Sequence, residues 1–253
     1  MTKKINNYFL MHLKKLGIKK DDQILVYSDL SRFGINHKNL ASIILNALKK
    51  IIGRNGTLIM PFYAISQKKN FIFEKNKFSK DPYVGVLNYL FSKEKNLVRS
   101  KCFNHNHIGI GPKAKILNFS KANISIGKGS DFYFMMKNNF KLILLACEPN
   151  QGATYLHNTE AIFNVPYRKW IKVKKRVKNN NVIKVIKVNY FVRKNKKFIS
   201  NFNEFFKKLY KFKKKIHVEK VKYGNSIAIT LKDLHKYSSY YLKKDKYCLV
   251  RKQ

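Results

Sequence analysis

The chain has 253 residues, 45% of them apolar, with 54 Lys and Arg against 13 Asp and Glu for a formal net charge of +41. That apolar share supports a buried core and excludes disorder as the default, and with five prolines, eleven glycines and no Ser/Gly-rich linker the reading is one domain over 1–253. The cationic excess predicts attraction to polyanions and leaves few carboxylates to line a pocket for a polycation.

The opening MTKKINNYFLMHLKKLGIKK places Ile5, Phe9, Leu10, Leu13 and Leu16 at helical spacing, which predicts an amphipathic helix and not a signal peptide. QILVYS (23–28) predicts a buried strand. Leu40, Ile43, Ile44, Ala47, Leu48, Ile51 and Ile52 form a helical stripe that GRNG (53–56) ends, and TLIMPF (57–62) predicts a second strand. This helix–strand–helix–strand rhythm suggests a parallel sheet covered by helices. The stretch 65–80 reads as polar and irregular, and VGVLNYLF (84–91) as a helix with Val84, Val86, Leu87, Tyr89, Leu90 and Phe91 as its apolar surface. KLILLAC (141–147) predicts a central strand, far too short to span a bilayer. Residues 170–192 alternate around NNN (179–181), the pattern of a hairpin with one wet face. FNEFFKKLYKF (202–212) and TLKDLHKYSSYYL (230–242) predict helices, the second opened by Thr230 and Asp233 at capping-box spacing. Cys102, Cys147 and Cys248, without a CxxC, predict reduced thiols and a cytoplasmic location.

TYLHNTEAIFNVPYR (154–168) sets His157 and Glu160 three apart, on one face of a helix. A histidine accepts a proton near neutral pH, and a carboxylate beside it fixes the tautomer and supports the cation that forms. A solvated helical pair has the same spacing. The pair follows a buried strand and the loop ACEPNQGAT, where open α/β sheets place their sites. RSKCFNHNHIGIG (99–111) holds His105 and His107 two apart, but no His-x-x-His or cysteine cluster accompanies them, so no metal is expected. VYSDLSRFG (26–34) is a strand entering a polar, glycine-ended turn. Its hydroxyls and amides suit a phosphate or a pantetheine amide, and equally a plain N-cap at Ser28 or Ser31. Neither a Walker loop nor GxGxxG occurs, so nothing points to a nucleotidase or a dehydrogenase. The lysine run KFKKKIHVEK (211–220) has a composition that binds nucleic acid, yet the aromatics fall at helix-core spacing and no RNA-binding signature accompanies them, which favours a solvated surface. Lys, Asn, Ile, Phe and Tyr are also what an AT-rich genome over-produces, although Glu too is encoded by A-rich triplets.

Taken in order, these segments resemble the aminoglycoside 3-N-acetyltransferase family, the antibiotic N-acetyltransferases. VYSDLSRFG is similar to its strand-turn motif, usually with His at the Tyr27 position and Ser at Asp29, and GTLIMPFY (56–63) to its second strand. VRSKCFNHNHIGIG (98–111) resembles its arginine–serine, histidine, glycine segment, with Phe103 for a usual proline, Asn106 for a usual serine, and His105 and Gly111 retained. LILLACEPNQGATYLHNTEAIFNVPYR (142–168) carries its Thr-x-x-His-x-x-Glu and closing Val-Pro-Tyr-Arg, and 222–250 follows its last turn and helix. The likeness spans nearly the whole chain.

The resemblance implies an α/β/α three-layer sandwich around a mixed, largely parallel sheet, here with an added β-hairpin. It also implies acetyl-CoA as acyl donor and an amino-sugar acceptor, while the residues themselves lead to no metal and no specific nucleic acid being expected. It assigns His157 as base and Glu160 as its partner, places coenzyme A contacts around Ser28, Ser31, Arg99 and Ser100, and acceptor contacts at His105, Gln151 and Thr154. Transfer is expected to be direct, without Cys102 or Cys147 as nucleophile. Members acting on aminoglycosides commonly have Asp six residues before the histidine; here Gln151 stands there. With so few acids, a nucleotide- or lipid-linked amino sugar is the expected acceptor in preference to an aminoglycoside drug. The alternative is a basic polyanion-binding protein on the same fold without catalysis.

Overall fold

The computed structural model describes residues 2–63, 71–74, 85–179, 181–212 and 214–253. In chain order the elements are α1 (Thr2–Lys15), β1 (Gln23–Ser28), α2 (Leu40–Ile52), β2 (Thr57–Pro61), β3 (Ile72–Glu74), α3 (Val86–Phe91), β4 (Val98–Arg99), β5 (His107–Ile110), α4 (Asp131–Lys137), β6 (Lys141–Leu145), α5 (Pro149–Gly152) and α6 (Tyr155–Ile162). They continue with β7 (Arg168–Asn179), β8 (Val182–Arg193), β9 (Phe198–Ser200), α7 (Phe202–Leu209), β10 (Ile216–Val221), β11 (Gly224–Thr230), α8 (Leu231–Lys244) and β12 (Val250–Lys252).

Seven strands form the central sheet in the order β10-β11-β6-β1-β2-β5-β4. The apolar runs at 23–28, 57–62 and 141–147 sit at its centre, where both faces are covered. Along β1, Ile24 and Val26 join the core beneath α1 and α2, whereas Leu25 and Tyr27 join the core beneath α4, α6, α7 and α8. This period-two alternation produces the α/β/α layering. The sheet is mixed, and its parallel part is the centre: β1 runs parallel to β6 and to β2, while the pairs β6–β11, β11–β10, β2–β5 and β5–β4 are antiparallel. Connection length accounts for the β10–β11 pair, joined by a turn too short for a parallel crossover.

Thr230 caps α8: the Asp233 N–H donates to Thr230 Oγ1 at 3.0 Å, and the Thr230 hydroxyl in turn donates to the Asp233 carboxylate at 2.8 Å. The hairpin forms too, paired from Arg168↔Arg193 to Asn179↔Val182. It gains a third strand, because β3 pairs parallel with β7 at residues 176–178. That strand lies within the stretch read as irregular, of which residues 65–70 and 75–80, like Val84, lie outside those described. The helix read from residue 84 is described from Val86, whose side chain is exposed. No helix among the described residues is long and apolar enough to cross a membrane.

Candidate active site

The carboxyl ends of the three parallel strands converge on one cavity of about 880 Å³, the position open α/β sheets give their ligands. β1 contributes Tyr27 and Ser28, β2 leads into Tyr63, and β6 leads into Cys147. After β6 the chain turns through Ala146 at φ 53° and enters α5 with Pro149 at its first turn. Gly152 then lies so close to the sheet that a Cβ would come within 2.7 Å of the Leu144 side chain and 3.0 Å of Tyr27 Cβ. Glycine is therefore what lets α5 and α6 settle onto the strand ends and turn Gln151, Thr154 and His157 toward the cavity.

His157 and Glu160 do meet. The His157 side chain is 22% exposed and the Glu160 carboxylate is fully buried, with Nδ1 and Oε2 2.6 Å apart. The Tyr167 hydroxyl donates to Oε1 at 2.8 Å, and the Arg168 guanidinium makes an ion pair with Oε2 at 2.8 Å. Burial pushes the Glu160 carboxyl up, but His157, Arg168 and Tyr167 together outweigh it and hold it below the usual carboxylate value. An ionised carboxylate only accepts, so Nδ1 donates to it, and Nε2 is the nitrogen left for a molecule in the cavity. The Phe202 ring, 5.1 Å from the imidazole, closes its other side.

Ser28, Ser31, His105, Gln151 and Thr154 also line the cavity. The Ser31 hydroxyl donates to Asp29 at 2.5 Å. His105 is held neutral: burial, with its neighbours His157, His107 and Arg168 adding to it, pushes its pKa down to about 3. Arg99 and Ser100 are placed elsewhere. Arg99 donates through Nε to Asn106 Oδ1 at 3.0 Å and lies over the rings of Phe62 and Phe73, and the buried Ser100 hydroxyl accepts from the His107 N–H at 3.2 Å. Among the described residues neither lines the cavity; both brace the β4–β5 edge, where their side chains are consumed by the fold.

His105 and His107 do not share a strand face, because β5 begins only at His107. His107 Nδ1 lies 2.7 Å from Asp131 Oδ2, both side chains fully buried, and the Ser120 hydroxyl donates to the other oxygen. Among the described residues no three His, Cys, Asp or Glu side chains gather as a metal site would require. Burial, first of all, pushes the Cys102 and Cys147 thiols up to about 12, so neither is a thiolate at neutral pH.

Asp131, Tyr63, Tyr167 and Arg168 were not singled out individually from the sequence. The last two sit in the Val-Pro-Tyr-Arg turn, a visible signal without a visible partner. Tyr63 shares a 2.5 Å hydrogen bond with Tyr27, hydroxyl to hydroxyl, on the cavity wall. Among the described lining residues Asp29 is a carboxylate and none is Lys or Arg, a contrast with the chain's +41.

The chain is 23% identical over 178 residues to aminoglycoside N(3)-acetyltransferase III of Acinetobacter baumannii, a match spanning 63% of this chain and 61% of that relative. It superposes on the YokD protein from Bacillus subtilis with a TM-score of 0.76 at 19% identity, covering 95% of this chain and 99% of that one. On AAC-IIIb in its binary complex with CoASH the TM-score is 0.78 at 15% identity, covering 94% and 96%. At such identities the two superpositions speak for the fold. The model of the aminoglycoside 3-N-acetyltransferases matches residues 25–243, most of the chain and all of the cavity's described lining, and the chain belongs to that family.

Proposed function

We propose that this protein transfers an acetyl group from acetyl-CoA to an amine of an amino sugar. The observation that carries the reading is His157, held at Nδ1 by a caged carboxylate while its side chain borders the cavity at the strand ends. Support for the donor comes from family membership and from AAC-IIIb, whose structure contains CoASH.

A protonated amine has no lone pair with which to attack. His157 Nε2 takes that proton, and Glu160 supports the imidazolium. The amine nitrogen bonds to the thioester carbonyl carbon, the carbonyl oxygen becomes an oxyanion, the nitrogen releases its second proton to solvent, and collapse breaks the C–S bond. The proton on His157 then returns to the departing coenzyme A sulfur. Thr154, whose backbone oxygen accepts from the His157 N–H at 3.0 Å, is one turn from the base and is assigned to the oxyanion. Ser28 and Ser31 are assigned to coenzyme A, and His105 and Gln151 to neutral groups of the acceptor. Arg99 and Ser100 are assigned a supporting role beneath β5. The high Cys147 pKa favours direct transfer over an acetyl-cysteine intermediate.

The acceptor is assigned as an amino sugar carried on a nucleotide or a lipid. Gln151 leaves a polycation without the acid it favours. The described lining has no Lys or Arg, so the carrier's phosphates would be held outside the cavity on the basic surface. The test is thioester cleavage with acetyl-CoA and a panel of free, nucleotide-linked and lipid-linked amino sugars beside kanamycin and gentamicin. Turnover of the carried sugars by the native chain and its loss in His157→Ala is the expected result. Equal turnover in the variant sinks the base assignment; tight, saturable turnover of kanamycin sinks the acceptor preference.

A further inference from the structure

The β7–β8 ribbon has two unlike faces. The inner one carries Val177, Ile186, Val188 and Tyr190, which pack on Phe71, Phe73 and Phe103. By the period of two, the outer face carries Lys172, Lys174, Arg176 and Lys178 on one strand and Lys187, Val185 and Ile183 on the other. Of the 26 residues 168–193, ten are Lys or Arg and none is Asp or Glu, against 54 basic residues in 253 overall. Composition bias would spread cations evenly; here they crowd onto a ribbon while the cavity's described lining has none. Lys174 and Lys187 stand directly opposite each other, a pairing that repels. Among the described residues none of Lys172, Lys174, Arg176, Lys178 or Lys187 forms an ion pair with a carboxylate.

The same ribbon carries bare aliphatic surface at its tip: Val182 is 54% exposed, Ile183 45% and Val185 62%. At its root Trp170, the chain's single tryptophan, is 44% exposed and borders an apolar groove with Ile124, Ile126 and Ile162. Branched aliphatic tips have no role against a phosphate backbone and offer no flat face for a base. A row of cations behind an apolar tip, with an indole at the root of the same face, is what the boundary between lipid headgroups and acyl chains accepts.

We propose that the outer face of this ribbon docks on an anionic lipid bilayer, its aliphatic tip entering the headgroup layer and its lysine row meeting lipid phosphates. The inference stands apart from the acetyl-transfer reading, because binding is measured without turnover. If the acceptor is lipid-borne, docking also brings the protein to it.

The experiment is flotation of the full chain with vesicles of phosphatidylcholine alone and of phosphatidylcholine mixed with phosphatidylglycerol, while Trp170 emission is followed. Binding and a blue shift with the anionic vesicles only, weakened by salt, are expected. Lys172→Glu/Lys174→Glu/Lys187→Glu is expected to lose about a hundredfold in vesicle affinity, while the charge-matched Lys220→Glu/Lys232→Glu/Lys236→Glu changes little. Val182→Ser/Ile183→Ser/Val185→Ser keeps the charge and is expected to abolish the blue shift. Equal losses in the two lysine variants would mean adsorption by net charge and would overturn the proposal. So would a serine variant that matches the native chain while heparin or single-stranded DNA competes fully, which would mark a general polyanion surface. The native chain alone also decides: no blue shift with anionic vesicles refutes it, whether or not the variants fold.

Discussion

His157–Glu160 and His107–Asp131 are the same chemical pair in two settings. Each joins Nδ1 to a fully buried carboxylate, at 2.6 Å and 2.7 Å. The first lies at the end of the sheet with its imidazole bordering the cavity. The second ties β5 to the first turn of α4, its ring packed between Tyr63 and Phe132 and its Nε2 buried without a hydrogen-bond partner among the described residues. Pairing orients a histidine in either case, but only access lets it exchange a proton with another molecule. The sealed pair is a structural tie, and the open one is the proposed base.

Breaking each pair in turn tests that contrast. The largest effect is expected from His157→Ala, a fall in turnover of about a hundredfold to ten-thousandfold with melting little changed, since the ring is partly exposed; steady-state kinetics beside calorimetry reads both. His107→Ala should reverse the pattern. It strands the buried Asp131 carboxylate at a cost of about 3 kcal/mol, which for a chain of this size lowers Tm by roughly 6–12 °C. If His107→Ala instead melts normally and loses turnover, the sealed pair is part of the chemistry and the contrast fails.

Acidification gives a smaller, signed effect. The folded Glu160 carboxyl lies below its ordinary value of 4.5. It therefore contributes stability that is fully present above pH 4.5 and is lost as pH falls through the folded value. Glu160→Gln should melt below the native chain at neutral pH, and the gap should close on acidification below about 4.5; a gap independent of pH would show that the carboxylate's charge is not what stabilises the site. The smallest change is Tyr167→Phe, which removes one of three contacts on Glu160 and should cost about 0.5–1.5 kcal/mol with a modest loss of turnover. A loss as deep as that of His157→Ala would promote Tyr167 from positioning to catalysis.

Much of this was legible before any coordinates. The apolar runs at 23–28, 57–62 and 141–147 could only be buried strands, and they are the parallel centre of the sheet. The spacing of His157 and Glu160 is local, so helix geometry alone brings them together. What stayed hidden depends on long-range closure. Asp131 is 24 residues from His107 and on another element, and no periodicity announces that pairing. Arg168 is eight residues from Glu160, beyond the reach of a helical repeat. Among the antiparallel margins, β10–β11 and β4–β5 have short connections, whereas β2–β5 and β6–β11 pair strands far apart in the chain, which no local signal announces. Arg99 and Ser100 carry the residue types of a binding motif, but tertiary packing spends them on Asn106 and His107.

Arg168 has one further implication. It touches the Glu160 carboxylate and is the first residue of the long ribbon, so a single side chain links the helix of the proposed base to the cationic arm. A load on that arm, if it shifts the root of β7 by even a fraction of an ångström, reaches the imidazole through two short polar links and no intervening hinge. The arm and the base would then act as one lever with its fulcrum at a guanidinium.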